Sequence, residues 1–200
     1  MKRLHRKDLW SWSTYSTKLD VDFHGVAWVR EGGNVLIDPV EMTAHDRDHL
    51  GRLGGVATII ITNKDHLRAA PELAAHFKAE LWGPAAERET FPVPCRRFLS
   101  DGAQPLPGLR VLALDGSKTP GELALVLDDT TLITGDLVRA HRAGSLMLLL
   151  PEQGLRDPVA AAASVRRLAA LPAIEAVLVG DGWQIFDHGH AHLQRLADSL

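Results

Sequence analysis

The run Ala57-Thr58-Ile59-Ile60-Ile61-Thr62 constrains this chain more than any other segment. It shows no polar–apolar alternation, and a β-branched run of that length suits a strand buried on both faces. Such a strand needs cover above and below. The chain has the material to supply it: 200 residues, about one domain's worth, of which 46% are apolar. That composition, with 24% charged residues, excludes a disordered chain. The single cysteine, Cys95, excludes an internal disulfide framework and a thiolate-rich zinc site. A net charge of −3 argues against a nucleic-acid-binding surface. No apolar run is long enough to span a bilayer.

The rest of the sequence reads as short strands alternating with helices. Val26-Ala27-Trp28-Val29 and Val35-Leu36-Ile37-Asp38 flank a Gly-rich turn and predict a hairpin. Thr43 is positioned to cap a helix that stops at Gly54-Gly55. Helical spacing follows over 67–77, then a short strand at Leu81-Trp82. Five prolines between 84 and 108 leave room only for short elements. In the second half, 109–114, 122–127, 131–134, 145–150 and 176–179 read as strands. Asp157-Pro158 opens a helix to Leu171, and a last helix covers 191–200. The whole chain, 1–200, is expected to be one domain of the α+β class, two stacked mixed sheets with helices outside, an αββα sandwich. The basic start, Met1 to Lys7, is followed by Leu9 to Ser16 rather than an apolar h-region, so it is not a secretory signal, and a cytoplasmic setting is expected. Trp10 and Trp12 are expected to pack on the domain.

Polar groups gather where the strands end, a usual place for chemistry on a rigid scaffold. Asn63-Lys64-Asp65-His66 follows the isoleucine run. Lys118 lies in Ser117-Lys118-Thr119-Pro120-Gly121, Asp136 in Thr134-Gly135-Asp136, and Asp181 in Gly180-Asp181-Gly182. Over most of the chain, from about Val26 onward, this succession resembles the metallo-β-lactamase superfamily. The family's Thr-His-x-His-x-Asp-His motif keeps its Asp-His end as Asp65-His66, while Ile61 and Asn63 stand where its first two histidines would be. Lys118 stands at the histidine before Thr-x-Gly. Gly135-Asp136 matches the third motif, and Asp181 replaces the histidine of a Gly-His-Gly.

The resemblance implies a hydrolase fold that has lost the three histidines of its first metal site. Asp65, His66, Asp136 and Asp181 remain as candidate ligands for one divalent ion, zinc, manganese or iron(II). Asp65 and Lys118 are the candidate catalytic residues. A protonated ammonium cannot ligate a metal, so Lys118 can instead supply the missing positive charge to Asp136 and Asp65. Three readings stay open: a one-metal hydrolase acting on a small, anionic substrate, a metal-free member that binds a ligand or partner, or a non-metal hydrolase with His66 as base. Arg68 can pair with an acid, bind an anionic substrate or sit on a solvated helix face. Cys95, beside Arg96 and Arg97, is a candidate for a lowered thiol pKa. His188, His190 and His192 read as a surface cluster. A homodimer is the default assembly.

Overall fold

The computed structural model describes residues 1–200. Seven strands form the first sheet in chain order: β1 (Lys2–Arg3), β2 (Leu9–Ser16), β3 (Val21–Trp28), β4 (Val35–Ile37), β5 (Thr58–Ile60), β6 (Glu80–Pro84) and β7 (Arg97–Leu99). Pairing is antiparallel from β1 to β4 and parallel from β4 to β7. The change falls where helices α1 (Ala44–Arg52) and α2 (Ala70–Phe77) enter as crossovers, since parallel neighbours need a long connection. Thr43 caps α1, its hydroxyl accepting from the Asp46 amide.

The second sheet has the order β13 (Ala176–Val179), β10 (Thr131–Thr134), β9 (Glu122–Leu127), β8 (Leu109–Leu114). It too is mixed: β13 runs parallel to β10, and the other pairs are antiparallel. A small hairpin of β11 (Val138–Arg142) and β12 (Ser145–Leu148) stands apart. Helices α3 (Pro158–Ala169) and α4 (Gly189–Asp198) complete the chain. Asp157 caps α3 through the Val159 and Ala160 amides, with Pro158 in the first turn.

Three apolar clusters explain the layering. Leu50, Leu73 and Ala74 of the first two helices cover Leu36, Ile59 and Ile61. Between the sheets, Val26, Ile37 and Ile60 meet Leu123, Leu125 and Ile133. Val165 and Leu168 of α3 and Leu193 of α4 close over Leu112, Val126 and Val177. The isoleucine run is thus buried on both faces, and the architecture is the αββα sandwich that the sequence predicts.

Two segments differ from the sequence reading. Leu9–Ser16 is a full strand, paired with β3 from Leu9↔Trp28 to Ser16↔Val21, so a further hairpin precedes the expected one and β3 starts earlier than the sequence reading has it. Its outer half was hard to read because Ser13 and Asp22 are exposed and blur the alternation. Residues 138–142, to which the sequence reading assigns no strand, form β11, irregular between Arg139 and Arg142. No helix is long and apolar enough to cross a membrane.

Gly182 joins three elements at one corner. Its amide donates to Asp22 O at 2.9 Å, and it bridges Ala140 of β11. Its φ is +99°, and an added Cβ would lie 2.2 Å from Ala140 O. Gly182→Ala therefore combines left-handed strain with a backbone clash. We expect a loss of about 2 kcal/mol or more of unfolding free energy. Urea denaturation checks this; an unchanged midpoint would show that the corner is not a close-packed joint.

Candidate functional site

The strand ends deliver their polar side chains to one corner between the sheets. After β5, the chain turns through a short 3-10 segment, Lys64–His66, capped by Asn63, whose side chain accepts from the Asp65 amide. That turn sends His66 inward, where it is buried, and leaves Asp65 about half exposed. Asp136 follows β10 and Asp181 follows β13; both are buried.

His66 Nδ1 lies 2.8 Å from Asp38 Oδ2. Asp38 in turn accepts from the Thr62 amide at 2.8 Å and the Thr62 hydroxyl at 2.5 Å. Nε2 of His66 faces Asp136 Oδ1 at 3.5 Å. His66, Asp136 and Asp181 each offer one ligand atom, all within 4.8 Å of one another. Asp65 is not part of that group. Its carboxylate lies 3.3 Å from Lys118 Nζ, at the mouth of the site.

The same inward atoms already have cationic neighbours. Lys118 Nζ is 2.9 Å from Asp136 Oδ2. Arg139 donates from Nη2 to Asp136 Oδ1 at 2.9 Å and from Nε to Asp136 O at 3.0 Å, and its Nη2 is 3.6 Å from Asp181 Oδ2. Arg68 donates from Nη2 to Asp181 Oδ1 at 2.9 Å and from Nη1 to His24 O at 3.2 Å. Nη2 of Arg68 also lies 3.1 Å from His66 Nε2, a contact that is a hydrogen bond only to a neutral ring. Among the readings open for Arg68, pairing with an acid is the one observed. Three carboxylates, Asp65, Asp136 and Asp181, thus meet three side-chain cations.

Burial and charge set the proton affinities. Burial opposes the His66 imidazolium, but Asp136 and Asp38 outweigh both burial and Arg68 and raise its pKa to about 10. Burial pushes the Asp136 carboxyl up, while His66 and Lys118 pull harder and hold it well below the usual carboxylate range. Lys118 also loses by burial, but Asp136 and Asp65 raise it above the ordinary lysine value. Glu122 is fully enclosed beneath the cluster. It accepts from the Asp136 and Leu137 amides and from Asn63 and Ser117, yet burial and the Asp136 charge push it up to about 8.

Asp38, Glu122 and Arg139 were not singled out from the sequence. Asp38 carried the strand-end signal of the other acids, and Glu122 stood out as the one acid in an apolar strand. Arg139 lies only three residues after Asp136, but it follows the strand-end motif rather than forming part of it, and its second partner, Asp181, is remote in sequence. Two expectations are corrected. Burial raises the Cys95 thiol to about 11, and its arginine neighbours turn elsewhere, Arg96 towards Glu80 and Arg97 onto the Trp82 ring. The three C-terminal histidines do not form one surface group: His188 is exposed at the start of α4, while His190 and His192 are half-buried.

A family model described as the metallo-β-lactamase superfamily matches residues 1–200. The chain belongs to that superfamily. Solved structures of the same fold include a metallo-β-lactamase from Erythrobacter litoralis, with TM-score 0.71 and 18% identity over 98% of this chain and 91% of that one. The FIM-1 metallo-β-lactamase from Pseudomonas aeruginosa, in a mono-zinc form, gives TM-score 0.76 and 12% identity over 98% and 94%. A protein solved in a di-iron-bound form gives 0.72 and 21% over 94% and 100%. Among curated proteins no sequence matches.

The proton affinities give a pH dependence. His66 and Glu122 hold protons more tightly folded than unfolded, so their contributions are complete below the ordinary histidine and glutamate values. These contributions fade as the pH climbs through about 8 for Glu122 and about 10 for His66. Asp136 acts oppositely, adding stability above the ordinary aspartate value and losing it in acid. Urea unfolding is therefore expected to show greater stability at about pH 6 than at about pH 9. Equal midpoints would contradict this assignment of charges.

Proposed function

We propose that this chain is a metal-independent member of its superfamily that binds a ligand or partner, with Lys118, Arg68 and Arg139 supplying charge that metals supply in its relatives. One observation carries the reading. The carboxylates of Asp136 and Asp181 each meet a guanidinium at 2.9 Å. A divalent ion does not fit this donor set as it stands. An ion placed about 4 Å from one guanidinium meets repulsion on the order of 8 kcal/mol at an effective dielectric of about 20. Loading would require both arginines to leave, and breaking a buried pair costs about 3–5 kcal/mol. Ile61 and Asn63, where the family has histidines, offer no replacement imidazole.

A rival reading rests on the 4.8 Å cluster of His66, Asp136 and Asp181. There one divalent ion is retained, Asp65 and Lys118 flank it at the cleft mouth, and the chain is a hydrolase acting on a small, anionic substrate.

Metal analysis of protein purified without a histidine tag separates the two. The metal-independent reading expects less than about 0.1 equivalent of metal per chain and no shift in melting temperature with zinc or manganese, since an ion bound to the folded state at 100 times its Kd would add about 2.7 kcal/mol. Close to one equivalent of ion, lost in Asp136→Ala, would overturn it in favour of the hydrolase.

A further inference from the structure

Beside the ion cluster lies a cavity of about 730 Å³, within the size range of small-molecule sites. None of Asp65, His66, Lys118, Asp136 or Asp181 lines it. The β3 backbone runs between its lining and the strand end that carries Asp181, with the His24 amide donating to Gly180 O at 2.9 Å and the Gly182 amide to Asp22 O at 2.9 Å. We propose that this cavity binds a small protonated alkylamine that carries an aromatic ring.

Three features point to that chemistry. The first is aromatic surface left in water. Tyr15, Trp183 and Phe186 line the cavity with relative exposures of 55%, 61% and 46%. Such rings offer flat apolar contact to another ring and attract a cation to their faces. The second is charge. Asp20 and Asp22 contribute two carboxylates to the lining, against the ammonium of Lys2; the N-terminal ammonium of Met1 also lies there but is buried and already paired with Asp46. The third is the pair of imidazoles. Burial opposes the charged form of both His24 and His141 and favours the neutral imidazole in each. His24 Nε2 donates to Gly182 O at 2.7 Å, which leaves Nδ1 as an acceptor. His141 Nε2 is buried with no partner at all. Such an unpaired buried nitrogen is rare in native structures and is satisfied when a ligand supplies the missing group. Acceptors and anions therefore outnumber cations around an aromatic rim.

Two probes that share a ring and differ in charge test the proposal: tryptamine, an amine, and indole-3-acetate, a carboxylate. Each is titrated into the full chain and followed by ligand-observed NMR. Tryptamine is expected to bind at least about tenfold more tightly than indole-3-acetate. Trp183→Ala is expected to weaken tryptamine about tenfold, and Asp22→Asn to narrow the preference between the two probes. Both positions are exposed, and circular dichroism confirms that the variants fold. Equal affinities, no binding of either probe at millimolar concentration, or unchanged binding in Trp183→Ala would each overturn the proposal. The outcome is separate from the metal question: an ion found at His66 would leave this result standing.

Discussion

The corner between the two sheets depends on carboxylates being neutralised by side chains from remote parts of the chain. Asp136 and Asp181 are buried in a region where an unpaired charge costs several kcal/mol. Arg139 and Arg68 reach them from β11 and from the segment before α2, and Lys118 closes the site from the loop between β8 and β9. The network therefore ties both sheets together. Paired guanidinium groups suit the task because their planar donors are always charged and can engage two acceptors at once.

The backbone around the cluster is shaped to the same end. Arg68 has a φ of +40°, uncommon for a residue with a long side chain, and this turn precedes the chain's entry into α2. An added Cβ on Gly135 would lie 2.6 Å from Thr62 Oγ1 and 2.7 Å from Glu122 Oε1, so the Gly-Asp pair keeps its glycine because the underlying acid packs against it. Gly180 is similar, with His66 Cε1 2.7 Å from its added Cβ position. Glycine beside each aspartate lets the acids and the imidazole approach one another closely. The strand-end backbone thus brings ligand atoms of His66, Asp136 and Asp181 within 4.8 Å of one another.

Much of this was legible in the sequence. Strands with continuous β-branched or alternating patterns, such as β5, β8, β9 and β10, follow from local chemistry, and so do the caps at Thr43 and Asp157. The acids at strand ends declared themselves by position. Lys118 was expected among carboxylates, and the structure brings its amine to Asp136 and Asp65. The arginines were less legible, because pairing between residues 68 and 181 or between 139 and 181 is a property of the closed fold. Asp65 shows the converse. A motif groups it with His66, yet adjacent residues on a tight 3-10 turn point in different directions, so His66 enters the core and Asp65 meets Lys118 at the surface.

The most direct test of the internal-cation account is a double-mutant cycle on Arg68 and Asp181, measured by urea unfolding of the wild type, Arg68→Met, Asp181→Asn and the double variant. If the guanidinium neutralises that buried carboxylate, the two substitutions will couple by about 1.5–3 kcal/mol, the second costing far less once the first is made. Additivity within about 0.5 kcal/mol would show that the pair carries no energy and would contradict the account.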